Sequence, residues 1–377
     1  MKQWAKYGII MNLKRLELYN YRNYEKLTLN FEKNNTIFIG NNAQGKTNIL
    51  ESIYVLGLTK SFFNINEKNL IKFGCLYSKI YGEVVDNDKE HKLEIIINEK
   101  GKKVKIDNQE VNKLSNYISK LNVIVFSPDN IRVLKESPNY RRKYLNIEIS
   151  QLYSNYIVTL NNFNKILKQR NEYLKTIINE VYDTQYISVL NEKYVELAIN
   201  VYRYRKDFID KINENLSEIY FKISGFRELQ IKYISSIEYD DSISLMKEKF
   251  LKKLNSNLNT DIKYKLSLLG PQRDDFQLEL NGKNILLYGS QGQVRCSILA
   301  LKFAEIPIFN EILNKKPILL LDDIFSELDF EKKNLLIEYL SDDMQTIITT
   351  TDLESINKNL IKKAKVFTVK NGSVLDV

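Results

Sequence analysis

From residue 11 to residue 31 apolar and polar positions alternate, through Leu13, Leu16 and Leu18 and then Tyr24, Leu27, Leu29 and Phe31. A period of two puts successive side chains on opposite faces, so this stretch predicts two half-buried strands around a turn at residues 20–23. Thr36-Ile37-Phe38-Ile39 has the character of a strand buried on both faces, and it runs into a glycine-bearing turn and a helical pattern over 48–56. Alternation returns over 79–97 and 104–111, and Val123 to Phe126 reads as a further short strand. Between Pro138 and Gly270 the pattern changes: there is no proline and one glycine, Gly225, and apolar residues fall at helical spacing over 160–181 and 189–212. One strand-like patch interrupts them at 229–233. After Gly270, residues 276–280 alternate into a turn at Asn281-Gly282. Two parallel-type strands, 317–321 and 346–350, then flank a helical pattern at 331–340. The pattern predicts an α/β head divided by a mostly helical insertion, with the head over 1–135 and 266–377 and the insertion, a lid, over 136–265. The first ten residues do not share the pattern that Met11 opens, which fits either a short extra arm or a start at Met11.

Composition narrows the class. At 377 residues the chain suits two or three domains. Its 44% apolar and 27% charged residues are those of a globular protein with a substantial core. Apolar runs such as 318–321 are far too short to cross a bilayer, and no export signal opens the chain, so a cytoplasmic protein without a membrane partner is expected. Cys75 and Cys296 stand far apart and form no zinc or disulfide pattern, and His91 is the sole histidine. Histidine-based catalysis and histidine-ligated metals are therefore set aside. The formal charge of +9, from 56 Lys and Arg against 47 Asp and Glu, favours polyanionic partners. The general richness in Lys and Asn could produce the same excess without a binding face.

The chemistry concentrates in three motifs. Gly40-Asn41-Asn42-Ala43-Gln44-Gly45-Lys46-Thr47 matches the P-loop, with a strand before it and a helix after it. Such a loop turns backbone N–H groups toward phosphates at a helix N-terminus. Lys46 is expected to reach the β- and γ-phosphates of ATP and Thr47 to hold Mg²⁺. The apolar run 318–321 ends in Asp322 and Asp323, a Walker B pattern: Asp322 as a metal carboxylate, Asp323 placed to orient the attacking water as a base. Ser290-Gln291-Gly292-Gln293 resembles the S-x-G-Q signature of ABC ATPases, which opens a helix and presents Ser290, Gly292 and Gln293 to a nucleotide held by another subunit. Ser326-Glu327-Leu328-Asp329 resembles the D-loop, a further interface element.

With these in place the chain resembles the RecF family. Asn20-Tyr21-Arg22-Asn23-Tyr24 is similar to its N-terminal N-[FY]-R-N-Y, and Gly270 to Phe276 to its G-P-H-R-D-D motif. Residues 126–129 and 137–145 resemble its junction of head and lid, and 320–329 its L-L-D-D-[IV]-F-S-E-L-D. A threonine run, Thr349-Thr350-Thr351, occupies the place of the switch histidine of many ABC ATPases. The resemblance runs from about residue 11 to the end. It departs at Gln272, Asn146, Val294 and Cys296, where the family has His, Asp, Gln and Thr. It implies an ABC-type fold and a nucleotide site that includes Arg22. It also implies an ATP-dependent homodimer, slow and DNA-stimulated hydrolysis serving as a switch, and binding of double-stranded or gapped DNA. The partners it implies are RecR and RecO, with RecA loaded indirectly, in DNA repair, recombination, replication and the SOS response.

For DNA, Arg132, Lys135, Arg141, Arg142 and Lys143 gather five cations in twelve residues against Glu136. They form either a phosphate-contacting patch at the lid base or a solvated face whose arginines pair with nearby acids. Tyr202-Arg203-Tyr204-Arg205-Lys206 suits base stacking or, at helical spacing, lid packing. An SMC-type structural ATPase is the alternative, but it needs far longer heptad arms. A transporter subunit keeps its P-loop and Walker B in one compact domain, whereas here Lys46 and Asp322 lie 276 positions apart. A nuclease fusion would need a further acidic metal-binding domain, for which the chain has no length.

Overall fold

A parallel sheet is built where the sequence is most continuously apolar. The computed structural model describes residues 8–376, apart from residue 64, residues 87–88, residue 180, residues 340–343 and residue 355. Its residues pack as two units, one of 8–131, 218–227 and 291–376, the other of 132–217 and 228–290.

In the first unit a six-stranded sheet runs in the order Ser373–Asp376, Ala364–Lys370, Asn35–Ile39, Thr346–Thr350, Ile318–Asp322, Val123–Phe126. All neighbours are parallel except the antiparallel pair at 364–376. The central strands are buried on both faces, which is why they read as apolar runs rather than alternations. A second six-stranded sheet is antiparallel, in the order Tyr24–Asn30, Asn12–Tyr21, Tyr77–Asp86, Lys89–Asn98, Gly101–Ile106, Gln109–Glu110. Its alternating burial follows the period-two pattern. Between Leu13 and Arg15 its register shifts, and the buried Gln345 carboxamide takes the backbone N–H of Leu13 at 2.7 Å and donates to the carbonyl of Leu13 at 2.9 Å. That side chain ties the second sheet to the strand Thr346–Thr350 and satisfies backbone groups that a bulge would leave unpaired. Ile9–Ile10 pairs with Lys315–Lys316, while residues 1–7 of the N-terminal segment lie outside the described residues.

The second unit is mostly helical: Pro138–Leu152, Ser154–Thr176, Ile243–Ser256 and Leu258–Tyr264, with most of the 41-residue helix Thr184–Ser224. Its small sheet pairs Leu229–Ile234 with Asp275–Leu280, antiparallel. Residues 266–290, expected with the head, therefore belong with the helical unit, because the isolated strand-like patch at 229–233 finds its partner there. The unit's core holds ionic networks. Arg170, fully buried, donates to Asp261 at 2.7 Å, to Ser267 at 2.6 Å and to Asn191 at 2.8 Å. Arg205 donates to the carbonyl of Pro271 at 2.7 Å and to Tyr233 at 3.1 Å, and Tyr233 donates to Asp274 at 2.7 Å.

Candidate nucleotide-binding site

The site lies at the carboxyl ends of adjacent parallel strands, where open α/β sheets bind ligands. Register fixes it: Ile39 stands beside Thr350, and Asp322 beside Thr349. The chain leaves Ile39 into the P-loop and enters the helix Lys46–Leu58. Gly45 adopts φ 111°, a conformation costly for any side chain. At Gly40 an added Cβ would stand 2.3 Å from the carbonyl oxygen of Val369. Both positions need glycine for the loop to close.

The loop is braced from outside. Asn23 Nδ2 donates to the carbonyl of Gln44 at 3.3 Å, Asn48 donates to Asn23 Oδ1 at 2.8 Å, and Tyr24 donates to the carbonyl of Gly45 at 3.1 Å. At the C-terminal hairpin, Asn371 N–H donates to Gln44 Oε1 at 2.7 Å and Gly372 N–H to its carbonyl at 3.2 Å. Arg22, expected at the nucleotide, grips the fully buried Glu51 through Nε and Nη2, both at 2.8 Å, and donates from Nη1 to the carbonyl of Asn69 at 3.2 Å. Its guanidinium thus links the helix Lys46–Leu58 to the turn Glu67–Leu70. The motif at 20–24 was legible as a family mark, but its bracing role was not.

Inside the loop, the Lys46 ammonium donates to the carbonyls of Gly40 and, at 2.9 Å, Asn41. Burial pulls Lys46 below the usual lysine range, and the charges of Asp323 and Asp322 oppose that fall. Thr47 Oγ1 donates to Asp322 Oδ1 at 2.7 Å, and Thr349 Oγ1 donates to the same oxygen at 2.9 Å. Burial pushes Asp322 above the usual carboxylate range. The hydrogen bonds from Thr47 and Thr349 counter the rise, Asp323 adds to it, and Lys46 reduces it. Asp323 sits in the left-handed region at φ 49°. Its Oδ1 is buried and has no hydrogen-bond partner among the described residues. A threonine hydroxyl, a carboxylate and an unpartnered carboxylate oxygen form the hard oxygen set that suits a small dication bound to phosphates.

The structure brings together Gly40, Gly45, Lys46, Thr47, Asp322 and Asp323, with Asn41 and Gln44 engaged through backbone and side chain. Asn42 and Ala43 form the loop tip, where Ala43 takes φ 64°. Ser290 ends the second unit, and Gly292 and Gln293 lie in the first turn of the helix Gln291–Leu313, with Ser290 and Gly292 exposed. The D-loop residue Asp329 caps the helix Phe330–Tyr339, accepting from the N–H of Lys332 at 3.0 Å.

Of the five cations with two open readings, Arg141 and Arg142 have partners within the chain. Arg141 holds Asp275 through Nε and, at 2.8 Å, Nη2, and donates from Nη1 to the carbonyls of Leu134 and Glu136 at 3.0 and 2.8 Å. Arg142 donates to the carbonyl of Asp274 at 2.7 Å. These guanidiniums fasten the helix Pro138–Leu152 to the strand Asp275–Leu280. Arg132 packs over the Tyr140 ring and is half exposed, Lys135 is exposed and Lys143 is half-buried. In the run 202–206, Tyr202 and Arg205 are core residues and Lys206 pairs with Asp210, which favours the packing reading. Gln272, in place of the family's histidine, is satisfied within its own unit: it accepts from Tyr194 at 2.9 Å and donates to the carbonyls of Ser267 and Leu269 at 3.1 and 3.0 Å. Asn146 likewise accepts from Tyr156 at 2.6 Å and from Arg205 at 3.2 Å.

A P-loop and Walker B acids on a parallel sheet, with a signature motif opening a separate helix, define the head of an ABC-type ATPase with a mostly helical unit inserted in it. The family model for the RecF/RecN/SMC N terminal domain matches residues 12–374. The DNA replication and repair protein RecF of Staphylococcus epidermidis is 39% identical over 370 residues, covering 97% of this chain and 100% of that protein. RecF of Streptococcus suis is 41% identical over 367 residues, covering 97% and 100%. A solved structure of the recombination mediator protein RecF-ATP in the RecFOR pathway superposes with a TM-score of 0.90 at 32% identity, covering all of both chains. The chain belongs to the RecF family. An Smc head bound to the C-winged helix domain of ScpA, with a TM-score of 0.52 and 17% identity, shares the fold alone.

Proposed function

We propose that this chain is an ATP-dependent DNA-binding protein of recombinational repair and replication restart. The observation that carries the reading is the Thr47–Asp322 contact at 2.7 Å, which joins P-loop and Walker B into one site on a chain matched end to end by RecF-ATP. ATP binds with its phosphates on the loop, and Lys46 supplies charge-assisted hydrogen bonds to them. Thr47 and Asp322 would hold Mg²⁺, which would supply charge neutralisation at the phosphates. Asp323 orients the water. A carboxylate one carbon shorter than glutamate, on a left-handed residue, supports slow turnover and a nucleotide that times a state.

The exposed Ser290 and Gly292 support a second copy of the chain as the partner that completes each site. Two copies close over two nucleotides, hold double-stranded or gapped DNA in the cytoplasm, and release it on hydrolysis. Arg132, Lys135 and Lys143 are the cations proposed to meet phosphate. RecR and RecO are the proposed partners, with RecA loaded as a consequence. No described helix is long and apolar enough to cross a membrane. The test is fluorescence anisotropy on gapped and duplex DNA with wild type and Lys46→Ala. Wild type is expected to bind DNA at least about tenfold more tightly with ATP than without, an ordinary coupling free energy between two sites. Lys46→Ala is expected to show no ATP response. Equal binding by wild type with and without ATP, on both DNAs, refutes the reading.

A further inference from the structure

The three threonines 349–351 replace a switch histidine in sequence, yet they do three different things. Thr351 makes one long contact, to Asp352 at 3.4 Å. Thr350 donates to the carbonyl of Asp352 at 2.7 Å. Thr349, fully buried, uses one hydroxyl twice: it donates to Asp322 Oδ1 at 2.9 Å and accepts from the backbone N–H of Asp323 at 3.0 Å. The same N–H lies 3.2 Å from the carbonyl of Thr349, and Leu321 O is a weaker second acceptor for the hydroxyl at 3.5 Å.

We propose that Thr349 is a positioning residue for both Walker B acids. The inference rests on the nucleotide and metal reading given above. Thr47 and Thr349 together load Asp322 Oδ1 with two hydroxyl donors, so Oδ2 is the oxygen left to take the metal's hydration shell. The acceptor half of the same hydroxyl holds the Asp323 N–H where the chain turns left-handed, which sets the direction of that carboxylate. A β-strand neighbour is the right carrier for this task. Parallel register places Thr349 opposite Asp322, and a β-branched side chain has few rotamers to choose among. Here the brace lies behind the acids, and the second donor to a metal carboxylate comes from the neighbouring strand. Hydrogen bonds that orient a metal's ligands govern metal affinity as well as turnover.

The test compares wild type, Thr349→Val and Thr349→Ser. Valine keeps the shape and removes the hydroxyl, whereas serine keeps the hydroxyl and removes the methyl. Binding of a fluorescent ATP analogue is measured in EDTA and across a magnesium titration, beside melting temperature. Thr349→Val is expected to need at least about tenfold more Mg²⁺ for half-maximal tightening. Its affinity in EDTA is expected to match wild type, and Thr349→Ser is expected to restore the wild-type midpoint. A midpoint unchanged in Thr349→Val overturns the inference alone. So does a loss of EDTA affinity that Thr349→Ser shares, since that marks a structural lesion. A wild type with no magnesium response overturns the reading of the site, and the inference falls with it.

Discussion

At the scale of single residues, two side chains adjacent in sequence carry opposite duties. Asp322 is loaded with hydroxyl donors, and Asp323 keeps a buried oxygen that has no hydrogen-bond partner among the described residues. Asp323→Asn is therefore expected to bind ATP as wild type does while hydrolysis falls by at least about a hundredfold, the usual worth of a positioned base. A steady-state phosphate assay beside nucleotide binding checks this, and equal losses in both contradict it. Asp329 gives a pH prediction. Hydrogen bonds from the Lys332 side chain and backbone hold its carboxyl below the usual aspartate range. A depressed folded value means that its contribution is complete above the unfolded value near about 3.9 and is lost as pH falls through the folded one. Asp329→Ala removes a helix cap, so it is expected to cost about 1 kcal/mol at neutral pH. The gap from wild type should close in acid, as melting curves across pH would show; a gap that does not vary with pH would contradict it. Lys46, Thr47 and the paired acids were legible because motif, strand and helix coincide. Thr349 was not, because a threonine in a strand reads as β-propensity. The available hint was a run of hydroxyls at the end of a strand buried on both faces.

At the scale of elements, periodicity found the central strands and two of the longest helices, missed Ala364–Lys370, Ser373–Asp376 and Ile243–Ser256, and could not show pairing. The strand Leu229–Ile234 looked like an accident within a helical insertion until Asp275–Leu280 paired with it. Along the sequence Arg141 and Arg142 fit a DNA patch as well as a paired face, because their partners, the Asp275 carboxylate and the Asp274 carbonyl, lie more than a hundred positions away. Charge density along a sequence cannot show which cations a distant strand consumes. The two kinds of cation are expected to separate on mutation. Arg141→Ala leaves the buried side of Asp275 without its partner and is expected to lower the stability of the helical unit. Lys135→Ala is expected to leave stability alone and to reduce the salt slope of DNA binding by about 1. Denaturant curves and salt titrations of the two variants decide it, and the reverse assignment of effects would restore Arg141 to the DNA face. The Arg170–Asp261 pair, fully buried on both sides, makes the same unit sensitive to a single change. Asp261→Ala is expected to cost roughly 3–5 kcal/mol by leaving an unpaired buried cation. Chemical denaturation measures it, and a loss below about 1 kcal/mol would mean that Ser267 and Asn191 suffice.

At the scale of the whole molecule, the P-loop and the signature residues are presented differently. The P-loop is braced on three sides by its own unit, whereas Ser290 and Gly292 are exposed at the start of a helix. The head and its helical insertion were legible from the break in proline and glycine usage, and the family from motifs that keep their order along the chain. The edge of the insertion was not, since it depends on which strand closes the small sheet. The central claim is that ATP joins two copies through P-loop and signature, and light scattering tests it most directly. Wild type and Ser290→Arg are measured with and without a non-hydrolysable ATP analogue. Wild type is expected to double in mass with the analogue, while Ser290→Arg binds the analogue and keeps the mass of one chain. A wild type whose mass is the same with and without nucleotide, or a Ser290→Arg variant that doubles as wild type does, would contradict the claim.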